Sequence, residues 1–223
     1  MEKENLTIIP GLGYHSFRRE DPNKCIVNFM SKFFNVHYFE WNPKSKLKTI
    51  SDDLSLFYKE NEITSSNFLT VSFGAVVFRE FYNNGREIGV KKVVQIGPLN
   101  SGCKVLEKMN RFFPNHLEKS FGEVHKEFLQ NRQKIFNLDL PDEMLIIAGN
   151  KRIDDTLTLR NNLDYFLLPF LINNAESDGK VFLNETTTKE TQNIKIFPKS
   201  HYALYRDLAV LETAKNYLMN INP

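Results

Sequence analysis

The sequence predicts an α/β protein, a mostly parallel sheet of about six strands covered by helices on both faces. Three observations carry this. Apolar runs of strand length alternate with segments of helical length along most of the chain. With 223 residues and 41% hydrophobic content, the chain is long and apolar enough to build a real core in one domain. Finally, Asn67 to Glu80 (NFLTVSFGAVVFRE) runs from an apolar strand through Ser-x-Gly directly into a helical pattern.

Taken in order, strands are expected at Leu6–Ile9, Val36–Trp41, Phe68–Ser72, Lys92–Ile96, Met144–Ala148 and Asn193–Phe197. Helices are expected between them at Pro22–Phe34, Leu47–Glu60 and Phe73–Asn83, each amphipathic enough to lie on a sheet. The last helix, Leu204–Met219, places Leu204, Leu208, Leu211, Ala214 and Leu218 at helical spacing. Residues 101–140 are Phe-rich and highly charged, and longer than a single crossover helix requires, so they read as an inserted helical hairpin. It is either a lid with an acyl pocket, through Phe112, Phe113, Phe121 and Phe128, or a helical layer with its own small core. A second excursion, Lys151–Ala175, ends in the apolar DYFLLPFLI. There is no internal repeat or low-complexity linker, so residues 1–223 read as a single domain.

Composition excludes several classes. A net charge of only +2 leaves no electrostatic footprint for a nucleic acid partner, and the Lys44–Lys48 cluster reads as a solvated loop. The start, MEKENLTIIPGLG, has acids and a short apolar run where a signal peptide needs a basic start and a longer one. No window reaches the ~18 consecutive apolar residues of a membrane span. Cys25 and Cys103 have no metal-like spacing and are expected to stay unpaired. A cytoplasmic location is the resulting expectation, with export by a route without a cleaved signal left open.

The chemistry starts from Ser72. A serine on a sharp strand-to-helix turn lifts its hydroxyl above the sheet, and such a turn needs small residues two before and two after it. Gly74 obeys this and Thr70 does not. A serine nucleophile needs a base, an orienting acid and donors for the oxyanion. Of five histidines, His201 stands after the last strand and before the last helix, at the sheet edge that carries Ser72, whereas His15, His37, His116 and His125 occupy a turn loop, a strand or the charged insertion. For the acid, Asp178 in the Ser-Asp-Gly turn competes with Asp154 and Asp155 after the fifth strand. The candidate oxyanion donors are the Phe73 and Leu12 N–H groups, the latter in the glycine turn after the first strand. That turn has neither a third Gly nor Lys-Ser/Thr, which argues against nucleotide binding.

Four segments resemble the α/β-hydrolase family of lipase and esterase type. IIPGLG resembles its oxyanion loop, TVSFGAVVFREF its elbow and helix, and VVQIGPLNSGC its next strand, while ESDGKV and SHYALYRDLAVLETAKNYL resemble its acid and histidine segments. Pro10, Thr70, Val71, Ala75 and Cys103 depart from the usual residues, and none of them removes a reacting group. The resemblance implies a three-layer sandwich and acyl transfer, with Ser72 as nucleophile, His201 as base, Asp178 as acid, and Leu12 and Phe73 as oxyanion donors. It implies no metal or organic cofactor and a small-molecule or lipid ester as substrate. An acyltransferase or thioesterase on the same residues, or a non-catalytic binding protein of the same fold, are the alternative readings.

Overall fold

The computed structural model describes residues 3–12, 22–84, 88–152, 176–188, 191 and 193–221. His15, Asp154, Asp155 and most of the Lys151–Ala175 excursion fall outside them. Six strands, β1 (Asn5–Ile9), β2 (Asn35–Tyr38), β3 (Ser65–Val71), β4 (Gly89–Ile96), β5 (Met144–Gly149) and β6 (Ile194–Phe197), form one sheet in the order β2-β1-β3-β4-β5-β6. Every neighbouring pair is parallel. The chain moves outward from β1 to β2 and then returns to the other side of β1 at β3. Strand order therefore reverses between β1 and β3, and the crevice at their carboxyl ends is where sheets of this kind bind ligands.

Alternation along the central strands supplies both layers. Leu69 and Val71 of β3, with Val94 and Ile96 of β4, meet Ile26 and Met30 of α1 (Pro22–Met30) and Val210 and Leu211 of α8 (Leu208–Leu218). Phe68 and Val93 point the other way, into a core with Ile50 and Leu54 of α2 (Leu47–Glu60), Val77 and Phe78 of α3 (Gly74–Asn84) and Phe128. Burying each such side chain contributes about 1.5–3 kcal/mol, which holds the sheet between its helical layers.

The expected elements are present, with differences that have local causes. Residues 101–140 form three helices rather than a hairpin: α4 (Lys104–Phe112), α5 (Pro114–Phe121) and α6 (Val124–Phe136). Pro114 cannot continue α4 and opens α5, and Gly122 at φ 64° ends α5. The last helix, α8, begins at Leu208 rather than Leu204 and follows a separate single turn, α7 (His201–Leu204), because the Asp207 carboxylate accepts the N–H groups of Ala209 and Val210 and starts a new helix there. The apolar spacing continues across that break and so conceals it. The first helix ends at Met30 rather than Phe34, and β2 ends at Tyr38 rather than Trp41. Among the described residues no helix is long and apolar enough to cross a membrane.

Candidate active site

β3 ends at Val71 and α3 begins at Gly74, so Ser72 and Phe73 alone make the joint. The joint demands a left-handed backbone: Ser72 has φ 51°, which costs on the order of 1–2 kcal/mol for a residue with a Cβ. Main-chain bonds on both sides hold it there. Ser72 N–H donates to Ile96 O at 2.9 Å, and the Ser72 carbonyl accepts Ala75 N–H at 3.1 Å to open the helix. A Cβ on Gly74 would lie 2.3 Å from Ile9 O, so only glycine lets α3 approach the end of β1. Thr70, the expected point of crowding, is fully buried in the ladder between Ile9 and Gln95.

His201 opens α7, and its N–H donates to Asp178 O at 2.8 Å. Its Nδ1 lies 2.6 Å from Asp178 Oδ2 and its Nε2 lies 2.9 Å from Ser72 Oγ. A carboxylate only accepts, so Nδ1 carries the proton and Nε2 is left to accept from the serine. Asp178 Oδ1 is occupied separately, accepting the N–H groups of Lys180 at 2.9 Å and Val181 at 2.8 Å. Both His201 and Asp178 are buried, which keeps water from competing for these bonds.

Two glycines unremarked in the sequence make room for the pair. A Cβ on Gly97, after β4 at φ 57°, would sit 3.0 Å from both Cε1 and Nδ1 of His201. One on Gly149, the last residue of β5, would sit 2.9 Å from Asp178 Cβ. Each glycine directly follows an apolar strand run, VVQI or LIIA, and that position is the signal that finds them.

Glu185 was also missed. Its buried carboxylate accepts Lys104 N–H at 2.9 Å and Phe182 N–H at 3.2 Å, and its carbonyl accepts the N–H groups of Asn100 and Ser101. It ties the segment bearing Asp178 to the loop before α4. Burial pushes its pKa up, against the pull of the Lys104 and Phe182 N–H groups. Tyr205 packs edge-on to the His201 ring at 5.2 Å, fully enclosed. Its hydroxyl makes no hydrogen bond of good geometry, although Ser72 lies near enough to oppose the upward push of burial and of Asp178 on its pKa.

The two expected oxyanion donors belong to segments that meet Ser72. Phe73 is its chain neighbour, with its ring buried against Trp41 and Phe128. Gly11 lies against the serine, since a Cβ there would be 3.6 Å from Ser72 Oγ, and half-buried Leu12 follows it. Of the other described imidazoles, His37 bonds to Asn5 at the amino end of the sheet. Buried His125 contacts Gly122 O through Nδ1, and burial holds its pKa down. His116 lies on α5. Cys25 and Cys103 are both free, and no group of His, Cys, Asp and Glu suited to a metal occurs among the described residues.

No protein-family model matches the chain, and no curated protein matches it in sequence. Solved structures do match. The lipase BlEst2 of Bacillus licheniformis in its mature form aligns with a TM-score of 0.68 at 13% identity, over 99% of this chain and 93% of that one. A structure reported for carboxylesterases of the ammonia-oxidizing thaumarchaeon Nitrososphaera gargenis aligns at 0.56 and 12% identity, over 98% and 91%. The enol-lactonase of Burkholderia xenovorans aligns at 0.56 and 14%, over 98% and 92%. The fold is thus that of the α/β-hydrolases, in agreement with the six-stranded parallel sheet and its two helical layers.

Proposed function

We propose that this protein is a serine hydrolase that cleaves carboxylic esters through an acyl-enzyme on Ser72. The observation that carries the reading is the unbroken chain of hydrogen bonds from Ser72 Oγ through His201 to Asp178, at 2.9 Å and 2.6 Å. In the first step the Ser72 hydroxyl proton passes to His201 Nε2 as Oγ bonds to the ester carbonyl carbon. Charge gathers on the carbonyl oxygen, where the Phe73 and Leu12 N–H groups would receive it. Collapse breaks the bond to the alkoxide, which leaves with the proton from His201. Water then repeats the sequence on the acyl-enzyme and frees the acid. Asp178 stays ionised throughout, holding the tautomer and stabilising the imidazolium.

The substrate class is a small-molecule or lipid ester, and no cofactor enters the mechanism. Helix α6 reaches the site through Phe128, whose ring meets Phe73 at 5.2 Å, so α6 would bound the acyl side, while Val105 and Met109 of α4 and Leu117 of α5 pack with Phe182 in a small core of their own. The neighbouring lipase, carboxylesterase and lactonase folds agree with this class of chemistry. The test is labelling by a fluorophosphonate together with hydrolysis of short-chain p-nitrophenyl esters. Ser72→Ala should abolish labelling and lower kcat by about 1,000-fold or more. Equal turnover in mutant and parent would overturn the assignment.

A further inference from the structure

Trp41 lies outside the Ser72, His201 and Asp178 cluster, yet it touches both segments that flank the serine. Its buried indole Nε1–H donates to Pro10 O at 3.0 Å. Its ring packs on Phe73 with centroids 5.9 Å apart and planes 31° apart. Pro10 has no N–H, so its carbonyl is the main-chain group by which the turn after β1 can be held at that point. The same oxygen lies 2.8 Å from where a Cβ on Gly74 would stand, so the turn is pinned between the indole and the start of α3. A trans peptide plane links Pro10 O rigidly to Gly11 N, and Gly11 lies directly against Ser72. Any swing of the Pro10 carbonyl therefore moves Gly11 against the serine, and with it the start of the peptide that bears the Leu12 N–H.

We infer that Trp41 is a positioning residue for the oxyanion site: its indole N–H fixes the Pro10–Leu12 turn while its ring fixes Phe73, setting the separation between the two N–H donors. The inference rests on the ester-hydrolase reading. It also gives a reason for a tryptophan at this place, since Trp alone among the aromatic residues combines a large flat apolar ring with an N–H donor at its edge. Donor position matters most when the carbonyl carbon is tetrahedral and its oxygen charged, so the effect belongs to the transition state.

Trp41→Phe keeps an aromatic ring against Phe73 and removes the donor. Its kcat on a p-nitrophenyl ester should fall about 10- to 100-fold with KM changed less than about threefold, the scale of a misplaced but present donor. Affinity for a trifluoromethyl ketone, which forms a tetrahedral adduct with the serine, should fall by the same factor as kcat. Ile50→Val, in the same core but remote from the turn, is the control for lost stability and should leave kcat unchanged. If Trp41→Phe does not fold, replacing Trp41 by β-(3-benzothienyl)alanine exchanges the N–H for sulfur in nearly the same shape. Retention of kcat and ketone affinity within twofold of the parent, in whichever variant folds, would overturn the inference. So would a loss confined to KM. A parent inert to both fluorophosphonate and ester would instead overturn the ester-hydrolase reading, and this inference with it.

Discussion

Ser72 and the Asp178–His201 pair meet within hydrogen-bond distance, but they arrive there on different scaffolds. Ser72 stands between β3 and α3, near the middle of the sheet, where its strand is flanked by β1 and β4 and its helix starts two residues later. Asp178 stands on an irregular segment between β5 and β6, and His201 on a single turn of helix after the edge strand. The serine is placed by apolar burial and ladder bonds that many residues share. The acid is placed by a handful of polar contacts: Lys180 and Val181 N–H on its own carboxylate, Gly179 N–H on Ser177, and Glu185 tying the segment to the next loop. Apolar substitutions around the serine should therefore mostly be absorbed by the surrounding core, the close approach at Gly74 and the Trp41 bond to Pro10 excepted, whereas in the acid half single hydrogen bonds carry the geometry throughout.

Asp178→Asn tests that contrast most severely. The amide can satisfy the Lys180 and Val181 N–H groups only by turning its oxygen to them, which points its NH₂ at His201 Nδ1. The imidazole must then carry its proton on Nε2, where it no longer accepts from Ser72. With its two backbone bonds kept, the fold should persist, as circular dichroism would verify, while kcat falls about 10,000-fold. Loss of less than about tenfold would mean that the acid lies elsewhere. Asp154→Asn and Asp155→Asn are the companion measurements.

Glu185→Ala should act mainly on stability. It leaves the Phe182 N–H unpaired in a buried place and the Lys104 N–H in a half-buried one, and it opens a void beside Gly102, whose missing Cβ would have met the glutamate at 2.5 Å. The expected cost is about 2–3 kcal/mol in a denaturant titration. A smaller loss of kcat should accompany it, because the segment bearing Asp178 loosens. Unchanged stability would show that the segment is held by its own turn and does not need the latch.

The same contrast governs what could be read from the sequence. The strands, most helices and the serine elbow were legible because burial writes itself as apolar spacing, and because Ser-x-Gly after a strand has a steric reason. Asp178 and His201 were legible only as addresses at a turn and at a strand end, with Asp154 and Asp155 left in competition. Gly97, Gly149, Glu185 and Trp41 passed unnoticed, since their roles depend on what the fold brings opposite them: His201, Asp178, the Phe182 N–H and the Pro10 carbonyl. The break between α7 and α8 was hidden for a related reason, as one capping carboxylate overrides an uninterrupted apolar pattern.

The smallest effect expected is at Asp207, which closes the far side of the His201 turn. Its carboxylate caps α8 through Ala209 and Val210 N–H and pairs with Lys199 at 2.6 Å, so the segment from Lys199 to Asp207 is clasped around the histidine. Burial acts to raise its pKa, but the Lys199 ammonium and the two N–H groups outweigh it and hold the carboxyl below the ordinary value. The sign of the pH effect follows. A pKa depressed by folding gives stability that is complete above the unfolded value, about 3.9, and is lost as pH falls through the folded one. Asp207→Ala should therefore cost about 1 kcal/mol at pH 7, and its deficit relative to the parent should shrink as both are acidified. Asp207→Asn keeps a capping oxygen and removes only the charge, so it should lose less than half as much, as expected where a partly exposed pair contributes little beside a helix cap. Melting temperatures of the three proteins at pH 7 and in acid decide between the terms. An Asn variant as unstable as the Ala variant would assign the clasp to the Lys199 pair, and the geometry around His201 would then weaken with salt, as a capped turn would not.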